Sequence, residues 1–280
     1  MNIQHTFSSL NSNQKNLYIV STPIGNLDDI TLRAIKTLNE VSLIFCEDTR
    51  VTIKLLNHLH IQKPLISFYE HNTSFRLQTI NQCFEQHHNI ALVTDAGTPL
   101  ISDPGLPLVQ YCLNNSINVI WVPGPSAFLG GLCYSGFDTS KFVFMGFVPR
   151  SLVGLKKVVD ELANFVGCII FYESPLRIKI TLQRMHELFG NVKVSIAREL
   201  TKLYETIYYS SLSEAIDFTF DTRGEYVIVI EKASILTPKK DPIVYYYELV
   251  ASGVDSKNAL LQTAKIFNIA KNVLYKQIKC

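Results

Sequence analysis

Short apolar runs separated by polar, turn-rich stretches set the pattern of the first half of the chain. Leu17–Val20, Val41–Cys46, Pro64–Phe68, Ile90–Thr94 and Asn118–Val122 are near-continuous apolar runs of four to six residues. Runs of this length suit strands buried on both faces. Helical spacing fills the intervals. Leu32, Ile35 and Leu38 fall on one face of a predicted helix, and Phe75–Phe84 forms another. Strands alternating with helices predict an α/β layer built on a mainly parallel sheet. The second half repeats the theme less regularly, with strands expected at Phe142–Phe147, Cys168–Tyr172, Val192–Ala197, Tyr204–Ser210 and Tyr226–Ile230. The last segment is helical throughout. Ile243–Ala251 is stopped by Gly253, and Ser256 is placed as the cap of a second helix with Ala259, Leu260, Thr263, Ala264 and Phe267 on one face. A turn at Asn268-Ile269 leads to a third helix, Lys271–Ile278. The spacing of Ala264, Asn268 and Leu274 fits a helix-turn-helix, and equally any tight helical hairpin.

These elements divide the chain into a polar N-terminus over 1–15, expected to be disordered, and an α/β domain over 16–137. A second α/β domain covers 138–232 and a helical tail 233–280. The break between the two domains is placed at Gly136-Phe137-Asp138, where the pattern lapses.

The polar stretches that end the strands hold the candidate chemistry. The most informative runs from Ile90 to Gly105. A buried strand enters a loop containing Asp95, Gly97, Pro99, Asp103, Pro104 and Gly105, and a helix follows, with Asp103 read as its N-cap and Pro104 in its first turn. In open α/β sheets, ligands sit beyond the carboxyl ends of strands. Small residues let backbone groups approach a ligand, so a side chain at Gly97 is expected to fill that space. Ser21–Asn26 ends the first strand. Pro123-Gly124-Pro125 ends the fifth and leads to a small-residue helix, Ala127–Tyr134, with Ser126 as its cap. Glu47-Asp48-Thr49-Arg50 reads either as a salt-bridged helix start or as the wall of a site. No G-x-G-x-x-G occurs, so a Rossmann dinucleotide site has no support.

Composition narrows the class. The 280 residues are 47% hydrophobic and 18% charged, enough for a large core and more than one domain. No apolar run reaches membrane-spanning length, and the N-terminus lacks the pattern of a secretory signal. The six cysteines form no C-x-x-C and the histidines no ligand-like pairing. Free thiols in a reducing cytoplasm and no metal site are expected. Residues 1–232 carry 19 basic and 21 acidic side chains, whereas 233–280 carry seven lysines and three acids. A basic tail on a near-neutral body fits an anionic partner such as nucleic acid, or a solvated helix face.

Taken in order, STPIGNLDDIT, EDTR, DAGTPLISDPG, PGPSA, FYESP-x-R and ARELTK resemble the tetrapyrrole methylase superfamily. Within it, DAGTPLISDPG together with ARELTK resembles the subgroup acting on small-subunit ribosomal RNA. The likeness covers about Leu17 to Glu231, and Lys271–Tyr275 also resembles the tail of that subgroup. The resemblance implies two α/β domains with S-adenosylmethionine folded into the cleft between them, and a homodimer. It also implies 2′-O-methylation of a cytidine in 16S rRNA at the decoding centre. Carried over by motif, Ile24, Gly25, Asp95, Gly97, Thr98, Pro99, Ser126 and Ala127 are cofactor residues of the first domain. Tyr172 and Ala197 close the cleft from the second. Leu176 stands where the family often has His, and the family's basic Lys-Gly-Arg run is represented here by Gly154, Lys156 and Lys157.

Methyl transfer to a hydroxyl needs positioning and benefits from a proton acceptor or an electrostatic stabiliser. Glu47, Asp48, Glu173 and Glu199 are candidate acceptors. Arg50, Arg198 and Lys202 are candidates to steady a developing alkoxide or hold phosphate. The sequence does not choose among them, and each has a matching role as an ion-pair partner. Glu47, Arg50, Arg198 and Lys202 form the candidate catalytic set. Two other classes stay open, a methyltransferase acting on a tetrapyrrole or other small molecule, and a non-enzymatic nucleic-acid binder.

Overall fold

The structure is a computed structural model that describes residues 15–68, 73–86, 89–232, 241–267 and 269–279. The expected disorder of the N-terminus falls on residues outside that description, apart from Lys15, as does Asn268 of the predicted turn.

The first sheet contains β1 (Asn16–Val20), β2 (Leu43–Cys46), β3 (Leu65–Ser67), β4 (Asn89–Val93) and β5 (Asn118–Val122). Every pairing is parallel, in the order β3-β2-β4-β1-β5. Its helices are α1 (Leu32–Glu40), α2 (Thr49–His58), α3 (Thr73–Gln86) and α4 (Leu106–Asn114). Two cores explain the apolar runs. Ile19, Phe45, Leu92 and Leu108 pack on one face, and Val20, Leu38, Ile44 and Val93 on the other. A parallel sheet covered on both faces needs apolar residues at successive positions, not alternate ones.

The second sheet contains β6 (Phe142–Phe147), β7 (Gly167–Glu173), β8 (Lys193–Arg198), β9 (Thr206–Ser211) and β10 (Tyr226–Lys232). Its order is β6-β7-β10-β8-β9, with one parallel pairing, β6 to β7, and three antiparallel ones. Helices α6 (Leu152–Glu161), α7 (Ile178–Phe189) and the short α8 (Leu212–Ala215) follow from its connections. Phe171, Leu182, Ile196 and Ile228 form the core of one face. The other face is covered by α5 (Ala127–Tyr134), a helix that follows β5 in sequence yet packs on the second sheet. Leu132 of α5 joins Ile170, Leu200 and Val227 there, and a Cβ added at Gly131 would lie 2.5 Å from Val227 Cγ1. The small-residue helix therefore leads from the last strand of the first sheet onto the face of the second. The tail forms α9 (Pro242–Ala251), α10 (Ser256–Ile266) and α11 (Lys271–Lys279) around Leu260, Ala264 and Leu274.

Several local expectations are corrected. Helix α4 starts at Leu106 with Gly105 as N-cap at φ +146° and Pro107 in its first turn, so Asp103 is not its cap. Glycine tolerates that φ, which lets the chain turn into the helix later than Pro104 suggested. Leu38 is buried and Ile35 packs against the same core as expected, but Leu32 is 86% exposed, and Ala34 and Thr37 complete the buried face of α1. Asp255, not Ser256, caps α10, accepting from the N–H groups of Lys257 and Asn258 at 3.1 Å. Among the described residues, no helix is long and apolar enough to cross a membrane, and no cluster is arranged to hold a metal. Cys46, Cys83, Cys112 and Cys168 are free and buried, Cys133 free and exposed.

Candidate active site

Three strand-end loops of the first sheet are locked to each other. Thr22, just past β1, and Gly97, just past β4, form a bridge: Thr22 N–H donates to Gly97 O at 2.8 Å and Gly97 N–H to Thr22 O at 3.0 Å. The Ser21 and Thr98 hydroxyls lie 2.8 Å apart, and Thr98 Oγ1 donates to Pro125 O, past β5, at 3.2 Å. Gly97 sits at φ +85°, but a Cβ there would approach nothing closer than 3.5 Å, from Ile24. The position demands glycine for its backbone conformation, not for lack of room.

These loops form one wall of a cleft of about 380 Å³, within the range typical of small-molecule sites. Ile24, Glu47, Asp95, Gly97, Thr98 and Asp103 line it, with Ser126 and Ala127 at the start of α5. Phe147, Tyr172, Leu200, Lys202, Glu225 and Val227 form the opposite wall, from the second sheet. Tyr172 ties the walls together by accepting the Phe128 N–H of α5 at 3.0 Å, and burial pushes its hydroxyl up to about 12. Ser126 occupies the N-cap position of α5 but makes no capping bond, and it lines the cleft. Both walls hold non-glycine residues at positive φ: Leu100 and Ser102 on one, Glu199 and Thr201 on the other. Such strain costs about 1–3 kcal/mol per residue and collects at ligand sites.

The cleft is acidic. Burial, and then the charge of Asp95, raises the carboxyl of Glu47. Burial raises Asp95 too, opposed by the Asp48 N–H that donates to it at 3.1 Å. Asp103, half-buried and facing Glu47 and Asp95, is pushed up to about 7, by desolvation first and then by those two charges. Among the lining residues the cation is Lys202, paired with Glu199 at 2.7 Å and Glu225 at 3.0 Å. Burial works against its charge, but the hydrogen bonds and negative charges of these two carboxylates together raise it.

The candidate residues separate by position. Ile24, Asp95, Gly97, Thr98, Ser126, Ala127, Tyr172, Glu47 and Lys202 meet in the cleft. Gly25, Pro99, Ala197, Arg50 and Arg198 are not in its lining. Gly25 lies against the stem of Lys202, where a Cβ would overlap Lys202 Cγ. Pro99 is buried within the loop, and Ala197 beneath the floor beside Val227. Arg50 points outward, its side chain 88% exposed, and forks onto Asp48, the N-cap of α2, whose carboxyl its hydrogen bonds hold at about 2. The Asp48–Arg50 part of the motif is thus a helix start, while Glu47 forms site wall. Arg198 is buried and turned toward the loop before β10, pairing with Asp221 at 3.1 Å and donating to Arg223 O at 3.1 Å. Glu173 touches the cleft, but its buried carboxylate accepts from Thr181 Oγ1 at 2.5 Å and Ser174 N–H at 2.7 Å, with Arg177 at 3.2 Å.

Leu200 lies inside ARELTK and Asp103 inside DAGTPLISDPG, although neither was singled out for this role. Glu225 and Val227 belong to no motif. Sheet register brings in Val227, opposite Tyr172 on β7 and Ala197 on β8, and Glu225, just before β10, is held by the Glu199 N–H donating to its carbonyl at 3.0 Å.

The sequence model of the tetrapyrrole (corrin/porphyrin) methylases matches residues 16–216, most of the chain. The chain belongs to the tetrapyrrole methylase family. The protein called ribosomal RNA small subunit methyltransferase I in Halalkalibacterium halodurans is 40% identical to it, over 92% of this chain and 93% of that relative. The protein of the same name in Thermotoga maritima is 46% identical, over 76% of this chain and 97% of its own length. That of Streptococcus pyogenes is 36% identical over 99% of both chains. Two solved structures share the fold. A diphthine synthase matches at TM-score 0.61 and 11% identity, covering 78% of this chain and 90% of its own. A uroporphyrin-III-C-methyltransferase from Thermus thermophilus matches at 0.55 and 13%, covering 78% and 95%.

Members of this family use S-adenosylmethionine, and the cleft fits that group. Its carboxylates outnumber its one lining cation, which itself is paired, so the space favours a ligand carrying positive charge. Ile24, Ala127, Leu200 and Val227 offer an apolar surface, and the backbone around Gly97 and the Ser126 hydroxyl offer polar contacts.

Proposed function

We propose that the protein methylates the ribose 2′-oxygen of a cytidine in 16S rRNA, at the decoding centre of the small ribosomal subunit. The observation that carries this reading is the similarity along the whole chain, tail included, to a relative called ribosomal RNA small subunit methyltransferase I. When bound, S-adenosylmethionine supplies a methyl group already activated on a sulfonium centre. The chain's own part is then largely positioning. Asp95, Gly97, Thr98, Ser126 and Ala127 hold the cofactor from one wall, while Tyr172 and Leu200 close on it from the other. Lys202 balances Glu199 and Glu225 and ties the two walls through the Gly25 loop.

The tail is the RNA anchor in this reading. Lys257, Lys271 and Lys276 are exposed on its helices, placed for phosphate contacts away from the chemistry. The reading includes a homodimer, supported by Leu203 at 89% exposure beside Tyr204 at 67%. It also places the protein in the cytoplasm, where its substrate is assembled.

The test is transfer of labelled methyl to small ribosomal subunits from cells lacking this modification, followed by nucleoside analysis. Label in a 2′-O-methylated cytidine of 16S rRNA is expected. Label confined to a base, or none, overturns the assignment.

A further inference from the structure

We propose that Asp103 is the proton acceptor for the hydroxyl that receives the methyl group. This rests on the 2′-O-methylation reading and assigns a group to it that the motifs did not. Elimination among the cleft's carboxylates carries the inference. Glu173 is held by Thr181, Ser174 and Arg177. Glu225 is held by Lys202. Asp95 accepts the Asp48 N–H, and Glu47 is hydrogen-bonded by the Asp95 backbone. Among the described residues that line the cleft, Asp103 is the carboxylate with neither a hydrogen bond nor an ion pair. A loop that turns through positive φ at Leu100, Ser102 and Gly105 holds it there.

The groups facing it are Glu47 from the end of β2, Asp95 from the end of β4 and Tyr172 from β7. Burial and the two like charges move its titration to about 7, where a general base is most effective. A cationic ligand in the same cleft favours its ionised form before transfer. Loss of that positive charge makes it more basic as transfer proceeds. In the step, the hydroxyl oxygen forms its bond to the methyl carbon while the carbon–sulfur bond breaks with its electron pair going to sulfur. The hydroxyl proton passes to Asp103, which becomes a neutral carboxylic acid and later releases the proton to solvent.

The test uses the full chain and three readouts: S-adenosylmethionine affinity by calorimetry, single-turnover transfer to undermodified small subunits across pH, and titration of the Asp103 carboxyl by NMR. Asp103→Asn is isosteric and breaks no contact, so the fold should survive. Its single-turnover rate at saturating cofactor should fall by about 10²–10⁴-fold, well beyond the loss of cofactor affinity that removing one carboxylate from the cleft brings, and the wild-type inflection in the pH–rate profile should vanish. Asp103→Glu should recover part of the rate. The assignment is overturned if Asp103→Asn keeps its rate or its inflection, or if its loss is matched by lost affinity. A carboxyl titrating in the ordinary range near about 4 also overturns it. A wild-type protein that labels no 2′-oxygen overturns the substrate reading and this assignment together. One that does label it, while Asp103→Asn stays active, overturns the assignment alone.

Discussion

Gly131 is where helix α5 touches the second sheet, and adding one methyl group there tests how the cleft is held. A Cβ at this position lies 2.5 Å from Val227 Cγ1 and 3.0 Å from Val227 Cβ. Val227 is 5% exposed on the central strand β10, paired on both sides, and β-branched. Its χ1 is stiff and its backbone fixed, so it cannot yield cheaply. Gly131→Ala gains about 1 kcal/mol of helix propensity. Overpacking costs about 1–3 kcal/mol, so the expected net loss is about 1 kcal/mol. Val227 also lines the cleft, and α5 begins at the cofactor-facing Ser126 and Ala127. Lifting the helix should therefore weaken S-adenosylmethionine binding, by about fivefold if the same 1 kcal/mol is felt there. Val227→Ala removes two buried methyl groups, about 1.6 kcal/mol of transfer free energy before any cavity term. In the double variant the methyl group added at position 131 occupies part of that void. The combined loss should fall short of the sum by about 0.5–3 kcal/mol. Urea unfolding at constant m-value and calorimetric titration supply both numbers. A Gly131→Ala protein as stable as its parent, with additive behaviour in the double variant, would refute the close-packed joint.

Deleting the residues after Lys240 should leave cofactor affinity intact and weaken binding to small subunits. Three lost phosphate contacts should flatten the slope of log affinity against log salt by about 2–3; an unchanged slope in a folded truncation contradicts the anchor. Glu173→Gln, which weakens an ion pair whose carboxylate is fully buried, should lower stability by about 1–3 kcal/mol in chemical unfolding. Equal stability would mean the carboxylate is not the keystone of that cluster. Arg198→Met should lower the unfolding midpoint and spare kcat, whereas Lys202→Met should lower transfer, because Lys202 faces the cleft and Arg198 does not. The reverse ranking in steady-state kinetics would overturn this division. The cofactor-free protein should lose stability as pH rises from about 4 to about 7. Asp103, raised in the fold, holds its proton there longer than in the unfolded chain, so its contribution is complete below the unfolded value and gone above the folded one. Asp103→Asn should flatten this part of the pH–stability curve, and an unchanged curve would show that the carboxyl titrates normally.

Local patterns in the sequence determined much of the first sheet. Near-continuous apolar runs such as Leu43–Cys46 reveal strands buried on both faces, because such strands must be apolar at every position. Glycine and proline after them mark the loops at the carboxyl ends, and the motifs there point to the family and its cofactor. The sequence could not show that α5 would cross to the other sheet, since an apolar small-residue helix carries no address for its partner. Nor could it separate Glu47 from Arg50 or Lys202 from Arg198. Neighbours in a motif diverge once one side chain turns into a cleft and the next pairs outside it. Val227 entered the site through antiparallel register on β10, and Glu225, just before that strand, through its pairing with the loop after β8, long-range properties that no local spacing encodes. Asp103 could serve as a helix cap in the sequence. Only the positive-φ turn at Gly105, which delays the helix, left its carboxylate without a backbone partner and facing the cleft. Local sequence thus set the elements and their chemistry, while the packing of α5, which follows the first sheet, onto the second sheet decided which side chains face the same space.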